Sequence, residues 1–353
     1  MTYHFSHIFR VGLLLTMAYL VLAAVESGEN PFFRINRKDV RLRKPAGFPA
    51  PVYDLSKNRI TPAGFVLGRK LFYDPILSRD SSTSCGSCHQ RIAAFGHIDH
   101  KLSHGINGLI GTRNVPALQN LIWQPNFMWD GGINHLDVQP IAPITNATEM
   151  DESLANVLEK LRRHPEYPRL FRKAFHQKEI STALMMKALS QFLALMVSDS
   201  ARYDLYRSGA LDFTPAETRG LALFRQHCAT CHAEPLFSDF TMRNIGLQPD
   251  TAIGDYGRLN ITGLPQDSMR FRVPSLRNVE ITYPYMHDGR FRNLKQVLAH
   301  YAAGNFHTGW VDPAVKKMAG LTATEQQDLI VFLKTLTDRK FTYDRRFVDP
   351  TGN

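Results

Sequence analysis

Apolar residues recur at spacings of three and four in several stretches of the chain, and each stretch predicts an amphipathic helix. Thr61-Pro62 opens the first: the threonine caps, the proline takes the first helical position, and Val66, Leu67, Leu71 and Phe72 form the apolar face. Residues 152–164 and 180–198 repeat the pattern; Met185, Met186 and Met196 in the latter read as core filler. Thr214-Pro215-Ala216-Glu217 is a capping box that starts the next helix. Asn293 caps LKQVLAHYAAG, and Thr322 with Glu325 opens an apolar helix that runs to about Leu336. Residues 90–126, 127–150 and 235–290 carry Gly, Asn, His and Pro and read as loops. Pro140 and Pro143 exclude a long helix from the second of these. No strand-rich region appears, so the fold class expected is mainly α.

The N-terminus breaks this pattern. Val11 to Val25 is a nearly unbroken apolar run of fifteen residues behind His4, His7 and Arg10. That is short for a membrane span and right for the apolar core of a secretory signal. Residues 1–25 are therefore expected to be a cleaved signal peptide or a retained N-terminal anchor, with Ala23 and Ala24 near a cleavage point. Residues 26–58, rich in Pro, Arg and Lys and without periodicity, are expected as an extended arm. The helical remainder divides into units at 59–212 and 213–342, followed by a charged tail at 343–353.

Composition narrows the picture little. Of 353 residues, 44% are hydrophobic and 21% charged, as in ordinary globular proteins. The net charge of +10 serves solubility or favours acidic redox partners. Nucleic acid is excluded as a partner, because no basic block is interleaved with aromatic residues.

The cysteines change the picture entirely. All four fall in two copies of one pentapeptide, Cys85-Gly-Ser-Cys88-His89 and Cys228-Ala-Thr-Cys231-His232. C-x-x-C-H is the attachment signature of c-type haem: two thiols on one side of a helical turn form thioethers to one porphyrin, and the next histidine ligates the iron. A zinc site, a thiol-redox pair or two disulfides are the competing readings. An all-cysteine zinc site leaves both histidines unexplained. The sequence thus predicts two covalent haem c groups, one per unit, and haem attachment outside the cytoplasm agrees with an export signal.

Around these motifs the chain resembles the bacterial di-haem cytochrome c peroxidase family, which includes MauG. The resemblance covers residues 60–340. It rests on LFYDPILSRDSSTSCGSCH, the Gly111-Thr-Arg-Asn114 turn, WDGG with Gln139 and Glu149-Met150, and FRVPSLRNVEITYPYMHDGRF. It implies two cytochrome-c-like domains and a periplasmic peroxidase. His89 would then hold the peroxidatic iron and His232 the electron-relaying one. Glu149 falls on the distal acid/base, ten residues after the distal glutamine Gln139, and Trp129 on the tryptophan between the haems. Asn114, Thr282 and Pro284 fall on an interdomain calcium site. A carboxyl group above an open iron suits peroxide cleavage, which needs a proton moved between the two oxygens.

Two positions decide the subtype. Fourteen residues after His287, where typical members place a methionine ligand for the second haem, stands Tyr301, as in MauG. Met286 and Met318 compete for that role. His104, nine residues before Arg113, falls near the distal histidine that blocks the first haem in typical members, and is either that ligand or a loop residue. His287 is expected near the second haem without ligating it; His97, His100, His135, His227, His300 and His307 are expected on the surface or in polar networks. One departure is Gly132, where the family usually carries an arginine after WDG. The implied substrate is hydrogen peroxide, with electrons from a small cytochrome c or a cupredoxin. The alternative is MauG-like oxidation of Trp or Tyr in a partner protein by peroxide-oxidised haems. A non-catalytic electron carrier leaves Glu149 and Gln139 unexplained. A homodimer is a further implication of the resemblance.

Overall fold

The computed structural model describes residues 36–351 apart from residue 308. The expected signal or anchor at 1–25, the first part of the arm and the last two residues lie outside the described residues. Among the described residues seven helices are nine residues or longer: α1 (Pro62–Tyr73), α2 (Leu154–Arg163), α3 (Tyr167–Phe175), α4 (Thr182–Leu193), α5 (Pro215–His227), α6 (Leu294–Ala303) and α7 (Ala323–Lys334). Sheet is confined, among the described residues, to β1 (Met242–Arg243) antiparallel to β2 (Phe271–Arg272). The fold is mainly α, as expected. No helix among the described residues is long and apolar enough to cross a membrane.

Two hydrophobic cores are built on one plan. In the first, α1 crosses α4 at Gly68, where a Cβ would stand 1.9 Å from the Ala188 carbonyl oxygen. In the second, α5 crosses α7 at Gly220, where a Cβ would stand 2.1 Å from the Asp328 carbonyl oxygen. Each crossing glycine is followed by x-x-Leu-Phe (Leu71-Phe72 and Leu223-Phe224), and both phenylalanines are buried. Each of these helices also begins Thr-Pro-Ala. The repeat is legible in the sequence once the need for close backbone approach singles out the glycines.

α3 was not expected from the sequence. Pro165 and Pro168 flank its start, which reads as a break, yet Pro168 falls in the first turn where the missing N–H costs nothing. Tyr167, Phe171 and Ala174 bury its inner face, and the Tyr167 hydroxyl donates to Asp74 at 2.6 Å. Residues 127–150 are loop apart from the short helix Ile141–Thr145.

The chain ends stitch the molecule together. Val40, Phe48 and Tyr53 of the arm enter the first core. Phe48 meets the Trp123 ring at 5.1 Å and lies 5.0 Å beneath the Arg277 guanidinium. Phe341 and Phe347, beyond α7, also lie in the first core, and the Tyr73 hydroxyl donates to the Phe347 carbonyl at 2.6 Å. A third cluster of Trp129, Leu247, Met269 and Phe271 lies apart from both cores.

Candidate functional site

The first motif occupies a single turn, Cys85–Cys88, capped reciprocally by Ser84 and Ser87. His89 Nδ1 lies 2.6 Å from the carbonyl oxygen of Phe95. With Nδ1 donating there, the tautomer leaves Nε2 free as a metal ligand. Burial pushes the His89 imidazole down to about 4, against the opposite pull of the Phe95 carbonyl. A neutral imidazole is the form that ligates.

The chain after this turn folds back on it. The Cys88 sulfur lies 3.1 Å from the His104 carbonyl oxygen. Ile106 N donates to the Glu149 carbonyl at 2.8 Å, and Gly105 packs so closely that a Cβ would stand 2.2 Å from the Thr148 carbonyl oxygen. Glu149 is thereby carried to the motif, where its charge acts on both Cys85 and Cys88. Burial raises its carboxyl pKa, opposed by the Asn146 amide, which donates to it at 3.2 Å. Gln139 reaches the sulfur of Met128, beside Trp129, at 3.8 Å.

His104 does not stand alone. Its ring meets that of His100 edge-on at 4.6 Å, and His100 stacks on His97 at 4.1 Å. His97, expected at the surface or in a polar network, is buried, and its Nδ1 has no hydrogen-bond partner. Burial is the first cause that pushes its pKa down to about 4. The signal missed was its position two residues after Phe95, in a segment that must close over the motif.

The second motif uses the same device in different surroundings. His232 Nδ1 lies 3.2 Å from the Phe237 carbonyl oxygen, and both Phe95 and Phe237 have left-handed backbone, with φ of 63° and 55°. This turn opens onto a cleft of about 1680 Å³, solvent mouth included, whose lining includes Cys228, His232, Trp129, Leu298, Tyr301 and Met318. Burial raises the Tyr301 phenol well above its ordinary value, with Cys228 and Cys231 adding to the shift. Met286 and His227 line the same cleft, so all three proposed axial groups are at hand. His287 stacks on Phe271 at 3.7 Å and is pushed down to about 4 by burial.

Arg272 tests whether the cleft suits a haem. It is buried, its guanidinium donates only to the carbonyls of Met128 and Val273 at 3.2 and 3.5 Å, and it has no carboxylate partner among the described residues. Burial without a counter-charge pushes it down to about 10. An unpaired buried guanidinium is costly, and a propionate in this cleft would pair it. The apolar lining, the thiols, the imidazole and this cation together fit a haem c. Sequence reasoning missed Arg272, because nothing in RFRVPS distinguishes a paired arginine from an unpaired one.

Between the motifs runs a hydrogen-bonded seam. Trp129 Nε1 donates to the Asn114 carbonyl at 2.8 Å, and Arg272 N donates to the Trp129 carbonyl at 2.7 Å. Asn114 N donates to the His287 carbonyl at 2.7 Å. Arg113 joins Asp130 at 2.5 Å to Asp255 at 2.6 and 2.8 Å. Arg258, not residue 132, supplies the guanidinium beside the WDGG turn, donating to the Asp130 carbonyl at 3.1 Å. Asn114, Thr282 and Pro284 are all among the residues that line the cleft. Among the described residues no group of three or more His, Cys, Asp or Glu is placed to hold a metal; that trio would offer amide and carbonyl oxygens instead.

The family model for di-haem cytochrome c peroxidases matches residues 62–212. The methylamine utilization protein MauG of Methylorubrum extorquens is 35% identical over 84% of this chain and 83% of its own length. Cytochrome c551 peroxidase of Pseudomonas aeruginosa is 32% identical over 83% of this chain and 84% of its own length. The crystal structure of a MauG-like protein associated with microbial copper homeostasis superposes with a TM-score of 0.81 at 32% identity, covering 88% of this chain and 99% of that one.

Proposed function

The chain belongs to the di-haem cytochrome c peroxidase family, and from that premise we infer that it reduces hydrogen peroxide at the first motif with electrons relayed through the second. It is a haem peroxidase, and its cofactors are two haem c groups. Each haem supplies an iron that changes oxidation state, held by His89 in the first unit and His232 in the second. The protein's own residues do the rest.

The observation that carries this reading is Glu149, a buried carboxyl with a raised pKa, brought against the first motif by the 105–106 backbone. A group titrating above the ordinary glutamate range can take a proton from the inner peroxide oxygen and return it to the outer one. Gln139, whose amide reaches the Met128 sulfur, is the distal glutamine in this reading. Trp129, held by Asn114 and Arg272, lines the second cleft, and in this reading it carries electrons between the two haems. Asn114, Thr282 and Pro284 form the calcium site in this reading, tying the Trp129 support to the second unit. We place the protein in the periplasm, on the apolar run at 11–25 and the extracytoplasmic attachment of haem c. The electron donor is a small redox protein.

A second reading rests on Tyr301. A phenolate ligand would favour oxidised iron, whereas a thioether from Met286 or Met318 favours reduced iron. With Tyr301 bound, the pair of haems would retain oxidising equivalents long enough to oxidise Trp or Tyr in a partner protein, the MauG-like alternative.

One experiment separates them. Stoichiometric peroxide is added to the fully ferric protein without reductant, and the EPR signals of both irons are followed. Joint loss of both signals supports an open first site and the second reading. Reaction only after prior one-electron reduction supports His104 as a blocking ligand and the first reading. No reaction in either state removes both.

A further inference from the structure

A tyrosine–carboxylate pair behind His232 lies outside the machinery described so far. Tyr203 is completely buried in the second core, and its hydroxyl donates to Glu234 Oε1. Arg225 clamps the same carboxylate at 3.1 and 3.2 Å, and Arg207 donates to the Tyr203 oxygen at 2.9 Å. The ring meets Phe237 edge-on at 4.8 Å, and the Phe237 carbonyl is the group that orients His232, at 3.2 Å. On its other side Tyr203 reaches a surface depression formed with Pro45, Phe48, Arg207 and Pro235. The pair therefore spans the distance from the iron-ligating histidine to the surface.

We propose that Tyr203 and Glu234 form a proton-coupled redox relay through which oxidising equivalents leave the second haem site for the surface. The relay rests on the peroxidase reading, since peroxide supplies the oxidant. Tyr203 gives up one electron toward His232, reducing the oxidised second site by one equivalent, and its phenolic proton passes to the Glu234 carboxylate. The neutral tyrosyl radical then takes one electron from a reduced small redox protein at the depression, and Glu234 returns the proton. Electrons and protons balance over the cycle.

The surrounding charges favour this coupled route over simple electron loss. The Arg207 guanidinium lies 5.9 Å from the Tyr203 ring centroid and opposes a radical cation. The Glu234 carboxylate, clamped by Arg225, already accepts the Tyr203 O–H, so the acceptor is in place by geometry. Other tyrosine–carboxylate pairs exist, such as Tyr167 with Asp74 at 2.6 Å, but Tyr167 belongs to the first core and has no link to His232. That pair is an internal control.

The test uses the holoprotein frozen after mixing with stoichiometric hydrogen peroxide. An EPR radical signal that narrows when the protein carries ring-deuterated tyrosine is expected. It should disappear in Tyr203→Phe, weaken in Glu234→Gln, and persist in Tyr167→Phe. An unchanged tyrosyl signal in Tyr203→Phe overturns the relay, as does loss of the ferric signals in wild type without any tyrosyl radical. If peroxide leaves the ferric signals untouched, the peroxidase reading fails by itself. The relay is then judged by flash-generated tris(bipyridyl)ruthenium(III): equal tyrosyl yields in wild type and Tyr203→Phe would overturn it.

Discussion

Each of the two C-x-x-C-H turns anchors its histidine on the carbonyl of a left-handed phenylalanine. Beyond that their surroundings diverge. The first turn is covered by its own downstream chain, which brings a carboxyl, Glu149, and a cluster of three histidines to it. The second opens onto an apolar cleft that offers a phenol and two thioethers, with Arg272 as a buried counter-charge. In the proposed reading, one plan of helical support would thus hold a proton-handling site and an electron-handling site. The attachment motif fixes where a haem goes; what the haem does depends on the loops that reach its other face.

The sharpest way to break this contrast is to remove the carboxyl. Glu149→Gln keeps the shape and the Asn146 contact but cannot take a proton, so kcat/KM for peroxide should fall about 10²- to 10⁴-fold. Steady-state kinetics with a reduced cytochrome would show it. Because burial raises the Glu149 pKa, the wild-type rate should decline as pH drops through a value above the ordinary glutamate range, and the variant should lack that limb. A variant with near wild-type turnover would remove Glu149 from the proposed chemistry.

At the second site the contrast is electronic. Tyr301→Met exchanges phenol for thioether, and axial ligation sets haem potentials over a range of about 0.8 V. The second haem's potential should rise by a sizeable part of that range, and turnover should shift toward dependence on prior reduction. Spectroelectrochemistry reads the potential directly. An unmoved potential would hand the ligand role to Met286 or Met318.

Much of this layout was legible beforehand, and the gaps have physical reasons. The capped helices could be read because Thr-Pro and Thr-x-x-Glu signatures act locally. Cys85, His89, Cys228 and His232 could be read because covalent attachment demands fixed spacing. His97 could not, because its burial depends on how the loop at 90–126 closes on the motif rather than on its neighbours in sequence. Arg272 could not, because only the cleft reveals that no carboxylate meets it. The return of Phe341 and Phe347 to the first core was equally hidden, since a short charged segment carries no periodicity to say which core it joins.

The crossing glycines offer a stability test of the shared plan. Gly68→Ala and Gly220→Ala would each drive a methyl into a backbone carbonyl, and overpacking of this kind costs about 1–3 kcal/mol. The two should cost about the same, because Gly68 has the closer carbonyl, 1.9 against 2.1 Å, whereas Gly220 has the closer side chain, Phe332 Cβ at 2.7 Å against Phe192 Cβ at 3.0 Å. Urea midpoints of the two holoproteins would rank them. A larger loss at Gly220 would show that α5 and α7 pack more rigidly than α1 and α4.

The smallest expected effect lies at the two Thr-Pro-Ala starts, which solve the same problem with different chemistry. At α5 the Thr214 N–H is taken by Glu217 at 2.7 Å, the reciprocal half of the capping box. At α1 the equivalent position is Gly64, where a Cβ would stand 2.0 Å from Gln191 Oε1. That oxygen, arriving from α4, accepts the Thr61 N–H at 2.9 Å and so does the work of the missing carboxylate. Gln191→Ala and Glu217→Ala should each cost about 1 kcal/mol or somewhat more. Their pH dependence should differ. Arg202 is the first cause that holds the Glu217 carboxyl below its ordinary range, against the cost of burial. Its stabilisation is therefore complete above the ordinary glutamate pKa and is lost as pH falls through the lowered value. The neutral amide of Gln191 has no such dependence. Urea midpoints of both variants, measured from neutral pH downward, should converge on wild type in acid for Glu217→Ala and stay parallel to it for Gln191→Ala.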